Sequence, residues 1–162
     1  MESSDPESDL RTDALDLQEA LTDLVRAYQF RDRDAICCYD VTLAQSQALE
    51  RLGRHGPMTL NEFAGALYLE KSSASRLADG LERKGYVTRR QHPDDARYIQ
   101  IELTKPGRAL AQKLLDDLVD GRSEMLLELT SSERRTVIRS IERLASIAAS
   151  GVDTSRGCQV LR

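Results

Sequence analysis

Two groups of side chains in this sequence have types and spacing suited to chemistry. The first is Cys37 and Cys38, adjacent in "RDRDAICCYDVTLAQ", with Cys158 the only other cysteine. Thiolates react with oxidants and are preferred ligands of soft metals and metalloids. The second is a run of hydroxyl and basic residues within "KSSASRLADGLERKGYVTRR": Ser72, Ser73, Ser75, Arg76, Arg83, Arg89 and Arg90. Hydroxyl and guanidinium groups donate to phosphate oxygens, and arginine also reads guanine bidentately. No motif for covalent or hydrolytic catalysis is present in the sequence. His55 and His92 are the only histidines, and neither has a His or Cys at metal-ligand spacing. A glycine-rich phosphate loop, an H-E-x-x-H helix and a nucleophile elbow are all absent. The sequence predicts no enzyme, no required cofactor and no built metal site.

Composition sets the frame for these residues. The chain has 162 residues, enough for one domain with an appended element. It lacks Trp and is rich in Leu, Ala, Arg and Glu, which favours helices. No apolar run reaches the ~20 residues that cross a bilayer. The start, "MESSDPESDL", lacks the basic and apolar segments of a signal peptide. A cytoplasmic location with no membrane partner is expected, where three cysteines form no disulfide framework. The net charge of −4 would argue against a polyanionic partner, but its distribution does not. Residues 1–23 hold eight acids and one base, whereas residues 51–108 hold eleven Lys or Arg against seven Asp or Glu. The middle of the chain is locally basic, as a polyanion-binding face requires.

Periodicity then supplies the elements. Residues 1–9 carry no pattern and are expected to be a disordered tail. From Leu10 to residue 36, Ala14, Leu17, Leu21, Leu24, Val25 and Tyr28 share one helical face. "RDRDAICCYDV" reads as a junction, and Thr42 caps a second helix that stops at Gly53, Gly56 and Pro57. "TLNE" (59–62) is a capping box for a short third helix. After "YLEKSS", Ser72 or Ser73 caps a fourth, with Ala74, Leu77, Ala78 and Leu81 inward and Gly85 at its end. "YVTRRQ" and "RYIQIEL" alternate with a period of two around the turn-forming "HPDDA", which predicts a two-stranded hairpin. Thr104 and Pro106 open a long helix to Leu129, and a second capping box, "TSSE" (130–133), opens the last helix. The tail over 151–162 has no clear pattern.

Helix, short helix, turn, short helix and hairpin in that order make a winged helix-turn-helix. The fold class is therefore mainly α with a small β-hairpin wing, its DNA-binding unit spanning 37–104. N-terminal (10–36) and C-terminal (105–150) dimerisation helices flank it, because their apolar faces exceed what so small a unit can cover. Inward Ala74, Leu77, Ala78 and Leu81 turn Ser72, Ser73, Ser75, Arg76, Asp79 and Arg83 outward, where a major groove would meet them. Arg97 at the hairpin tip suits a narrow minor groove. Asp79, being acidic, is expected to pair with a wing base such as Arg90 and align wing with helix.

At this point the chain resembles the MarR family of bacterial transcriptional regulators, through "SSASRLADGLERKGYVTRR" followed by "HPDDARYIQIELTKPGRAL". Pro93, Asp95, Arg97, Leu103, Thr104 and Gly107 stand where that family's wing motif has them, and the likeness is specific over 43–110. The resemblance implies a homodimer on a pseudo-palindromic double-stranded operator, Arg97 in the minor groove braced by Asp95, and an effector that releases DNA. It departs from the family at Gly80, where a larger residue is usual, which would loosen the helix by up to ~1 kcal/mol relative to Ala.

The bland readings stand beside these. Arg76 and Arg97 could be solvated surface arginines, and the whole unit could be a winged helix that binds proteins instead of DNA. Cys37 and Cys38 admit three readings. One is structural, with one thiol buried and the other half-exposed. The others are a redox switch and a soft-metal or metalloid effector site, with Cys158 or a partner cysteine as a further ligand. Their place between the first helix and the DNA-binding unit favours an effect on recognition-helix spacing.

Overall fold

The computed structural model describes residues 6–91 and 98–150. Its order is α1 (Pro6–Ile36), α2 (Leu43–His55), β1 (Met58–Thr59), α3 (Leu60–Ala66), α4 (Lys71–Arg83), β2 (Val87–Gln91), β3 (Ile99–Leu103), α5 (Lys105–Leu127) and α6 (Ser131–Ser150). Helix α1 starts at Pro6, so residues 6–9 are helical and not the disordered tail expected there. Proline suits the first helical position, where its missing N–H costs nothing and its φ is already set.

Side-chain caps fix most helix starts. Thr42 and Gln45 form a reciprocal capping box on α2, Thr59 and Glu62 on α3, and Thr130 and Glu133 on α6. The Thr130 hydrogen bonds hold the Glu133 carboxyl below its ordinary pKa. Helix α4 is the exception. Its N-cap is Glu70, which makes no side-chain cap bond, and Ser72 and Ser73, expected as caps, lie inside the helix. The Leu69 N–H donates back to Ala64 at 2.9 Å, which closes the α3–α4 turn early and lets α4 begin at Lys71.

The hairpin gains a strand that the sequence pattern did not announce. β1 pairs antiparallel with β3, giving a three-stranded sheet in the order β1-β3-β2 with Met58 opposite Ile101 and Val87 opposite Leu103. Two residues are too short for a period-2 signal, so only the tertiary arrangement reveals the pairing. Phe63, Leu49, Leu81 and Ile101 fill the centre of the core where α2, α3, α4 and the sheet meet. Ala111 and Leu114 of α5 are buried too, so the core continues into α5.

Two glycines explain how tightly these parts approach. Gly107 sits in the first turn of α5 against the backbone of Tyr86, and a Cβ there would overlap the Tyr86 carbonyl oxygen. That carbonyl accepts the Thr104 N–H at 3.0 Å, which pins the end of β3 to the start of β2. Gly80 was expected to loosen α4, but a Cβ there would meet Gln45 Nε2 at 3.0 Å. The glycine admits the buried end of α2 against α4.

The outer helices are less covered. Arg31 donates to the Gly121 carbonyl at 3.1 Å, Arg122 pairs with Asp32 at 3.5 Å, and the Arg122 guanidinium lies over the Tyr28 ring, all joining α1 to α5. Yet Leu10, Leu15, Val25 and Phe30 of α1 remain exposed, and α6 buries none of its residues. No described helix is long and apolar enough to cross a membrane.

Gly107→Ala should destabilise the protein by about 1–3 kcal/mol through overpacking against immovable backbone. Urea unfolding should show a lower midpoint at unchanged m-value.

Candidate nucleic-acid interface

Helix α4 divides its circumference cleanly. Ala74, Ala78 and Leu81 are fully buried, and on the opposite side Ser72, Ser75, Arg76, Asp79 and Arg83 fall within one ~100° sector. Ser72, Arg76 and Arg83 are exposed, while Ser73, Ser75 and Asp79 are half-buried. Arg76 donates to Ser73 Oγ at 3.3 Å, and neither Arg76 nor Arg83 pairs with a carboxylate among the described residues. Both guanidinium groups are thus available to an external acceptor.

The wing is aligned to this helix by Arg89, not by Arg90 as the sequence suggested. Arg89 Nη2 lies 2.6 Å from Asp79 Oδ1, its Nη1 contacts Glu82 Oε2, and its backbone N–H donates to Glu82 Oε1 at 3.2 Å. Strand alternation decides the matter. Val87 and Arg89 face α4, whereas Thr88 and Arg90 face away. Arg90 instead meets Glu102 on β3 at 2.6 Å and stays 72% exposed. Partial burial opposes the charge on Arg89, but hydrogen bonds and attraction from Asp79 and Glu82 outweigh it and leave its pKa raised. Arg89, expected among the DNA contacts, is therefore engaged inside the protein. Glu82 was missed, although it lies three residues after Asp79 on the same edge of the helix, which is the available signal.

A second link runs from the C-terminal end of α4. Lys84, its C-cap, donates to Asp40 Oδ1 at 3.0 Å and to Gln45 Oε1 at 3.3 Å. It also contacts the Asp40 carbonyl. The junction carrying Cys37 and Cys38 is thereby tied to the recognition helix. Both thiols are exposed, so the expectation of one buried cysteine fails, because Ile36 and Val41 take the buried positions. Asp95 and Arg97 at the wing tip, His92, and Cys158 in the tail lie outside the described residues.

Comparison with known proteins bears directly on this arrangement. The family model described as the MarR family matches residues 41–99. The chain is 31% identical over 134 residues to the HTH-type transcriptional regulator Mb0904 of Mycobacterium bovis, covering 83% of this chain and 90% of that protein. It is 27% identical over 133 residues to the HTH-type transcriptional repressor MdtR of Bacillus subtilis, covering 82% and 86%. Among solved structures, a MarR family protein from Bacillus stearothermophilus superposes with a TM-score of 0.77 at 22% identity, covering 85% of this chain and 96% of that one.

Arg89→Met leaves two neighbouring carboxylates without their shared partner and should cost about 1–2 kcal/mol of stability. Arg90→Met, which removes only an exposed pair, should cost less than about 0.5 kcal/mol. Thermal unfolding of the two variants side by side checks the difference; equal losses would remove Arg89 from its aligning role.

Proposed function

The chain belongs to the MarR family of transcriptional regulators, and from that premise we propose that it acts as a homodimeric repressor with one winged helix on each half of a pseudo-palindromic operator. It is a winged-helix DNA-binding regulator, and its relatives are transcriptional regulators, not enzymes. Family membership weighs against the reading as a protein-binding module. The observation that carries the proposal is the outward face of α4, where Ser72, Arg76 and Arg83 stand exposed beside an anchored wing.

In this reading α4 enters the major groove. Arg76 reaches a base edge, Ser72 and Ser75 donate to phosphates at close approach, and Arg83 and Arg90 meet the backbone. Arg97, at the wing tip by sequence, enters the minor groove with Asp95 beside it. Arg89, Asp79 and Glu82 contact no DNA and hold the wing at its angle.

The dimer follows from uncovered apolar surface. Val137, Ile138, Ile141 and Ile147 of α6 are 40–60% exposed, and α1 adds Leu10, Leu15 and Phe30. Large apolar side chains left exposed on helices in this way mark an interface. A second copy of the same helices covers both faces by two-fold symmetry, and sets the recognition helices about one DNA turn, ~34 Å, apart. A cleft of about 330 Å³ between α1 and α5, lined by Tyr28, Arg31, Asp117, Arg122 and Met125, offers room for a small effector.

Arg76→Ala should weaken operator binding by about 1–3 kcal/mol and relax base preference at one position of each half-site. Affinity of the unaltered protein should fall steeply with salt, by about 0.9 in log–log slope per phosphate neutralised. A gel-shift titration across salt concentrations measures both, and no duplex binding at low salt would end the proposal. Ile141→Asp should leave each subunit folded but shift sedimentation toward the monomer mass.

A further inference from the structure

The adjacent thiols at the α1–α2 junction form a geometry that the DNA-binding reading does not use. Helix α1 ends at Ile36, and the Cys37 and Tyr39 N–H groups close a turn onto Asp34 and Ile36 at 3.3 and 3.0 Å. In a continuous helix, neighbouring side chains diverge by ~100°. This turn instead brings Cys37 Sγ to 3.6 Å from Cys38 Sγ, with both thiols exposed.

Several chemistries fit this pair poorly. The peptide between them is trans, which holds their Cα atoms ~3.8 Å apart, below the ~4.4–6.8 Å that disulfides span. A direct Cys37–Cys38 disulfide is therefore strained. The hydrogen bond with Cys38, then its charge, pushes the Cys37 thiol pKa up, opposite to the lowered pKa of a peroxide-reactive thiol. A tetrahedral metal needs four ligands, and no group of three or more His, Cys, Asp or Glu is placed to hold a metal among the described residues. A linear two-coordinate ion needs its sulfurs on opposite sides, whereas these lie side by side. A soft pyramidal centre that brings its own third substituent needs only two adjacent sulfurs.

We propose that Cys37 and Cys38 are a dithiol site for a mono-substituted trivalent arsenical, and that its occupation weakens DNA binding. The reaction is a condensation without redox change. The R–As=O centre takes both thiol hydrogens, two S–H bonds and the As=O bond are lost, two As–S bonds form, and one water leaves.

The route from this site to the DNA-binding face is short. Tyr39 donates its hydroxyl to Asp117 on α5, with Lys113 over its ring at 5.2 Å. That hydrogen bond pushes the Tyr39 pKa up to about 12, so the hydroxyl keeps its proton and remains a donor. Asp40 is held by Lys84 at the end of α4. Closing a ring through both sulfurs reshapes the turn that leads into these anchors and so shifts α4 relative to α5. The coupling to DNA rests on the reading of the protein as a DNA-binding dimer; the site itself does not.

Phenylarsine oxide, added to the full chain and to Cys37→Ser, Cys38→Ser and Cys158→Ser variants, tests the proposal. Native mass spectrometry should show one arsenical per chain in the unaltered protein and in Cys158→Ser, with both junction thiols protected from alkylation. Either junction variant should bind about 100-fold more weakly, because the second bond is then intermolecular. Equal binding by a junction variant, or loss of binding in Cys158→Ser, would overturn the site. On a duplex selected from a random library, the arsenical should weaken binding about 10-fold in the unaltered protein and not in Cys37→Ser. Arsenical uptake with unchanged DNA affinity would overturn the coupling. A protein that binds no duplex even without arsenical would refute the DNA-binding reading, while the mass measurement still decides the site.

Discussion

Burial of Leu81 against Leu49, Phe63 and Ile101 is the interaction from which the rest of the molecule takes its positions. Leu81 fixes the rotation of α4, because burying it together with Ala74 and Ala78 leaves one direction for the hydroxyl and arginine face. Ile101 fixes the height of the hairpin through pairing with Met58 on one side and Arg89 on the other. Small residues at 74 and 78 let α4 sit close, and Gly80 extends that closeness to Gln45. Replacing Leu81 by a smaller residue would loosen helix and wing together, since both rest on the same side chains.

Electrostatics refine what packing begins. The chain is acidic overall, yet carboxylates beside the exposed arginines of α4 are engaged within the protein. Asp79 and Glu82 stand beside the recognition face, but Arg89 occupies both carboxylates. Glu102 is matched by Arg90. Arg76 and Arg83 are left facing solvent without such partners among the described residues. Net charge alone would have excluded the function that the local distribution permits.

The junction between α1 and α2 joins the two halves of the molecule mechanically. Tyr39 faces α5, Asp40 faces Lys84, and Thr42 starts α2 with its capping box. These three structural commitments lie just beyond Cys37 and Cys38, whose thiols stay exposed. A device that changes recognition-helix spacing needs differential affinity of only a few kcal/mol between two arrangements. The cleft between α1 and α5 shares Asp117 with this turn, so its lining and the thiol pair both adjoin the Tyr39–Asp117 hydrogen bond.

By itself the sequence determined the elements whose signals are local. Capping boxes at Thr59 and Thr130, the glycine after α4, and the alternation in β2 and β3 are all carried by residues within a few positions of one another. It also determined the face of α4, because helical period and buried alanines leave no choice. Tertiary structure alone decided the contacts between distant segments. The third strand came from two residues that acquire meaning only beside β3. Lysine 84 reaches back forty-four positions to Asp40. Which of Arg89 and Arg90 meets Asp79 depended on strand register against the helix, and a single residue of register reverses the answer. The distance between the two thiols likewise depended on where α1 stops, which the packing of Ile36 and Val41 into the core fixes.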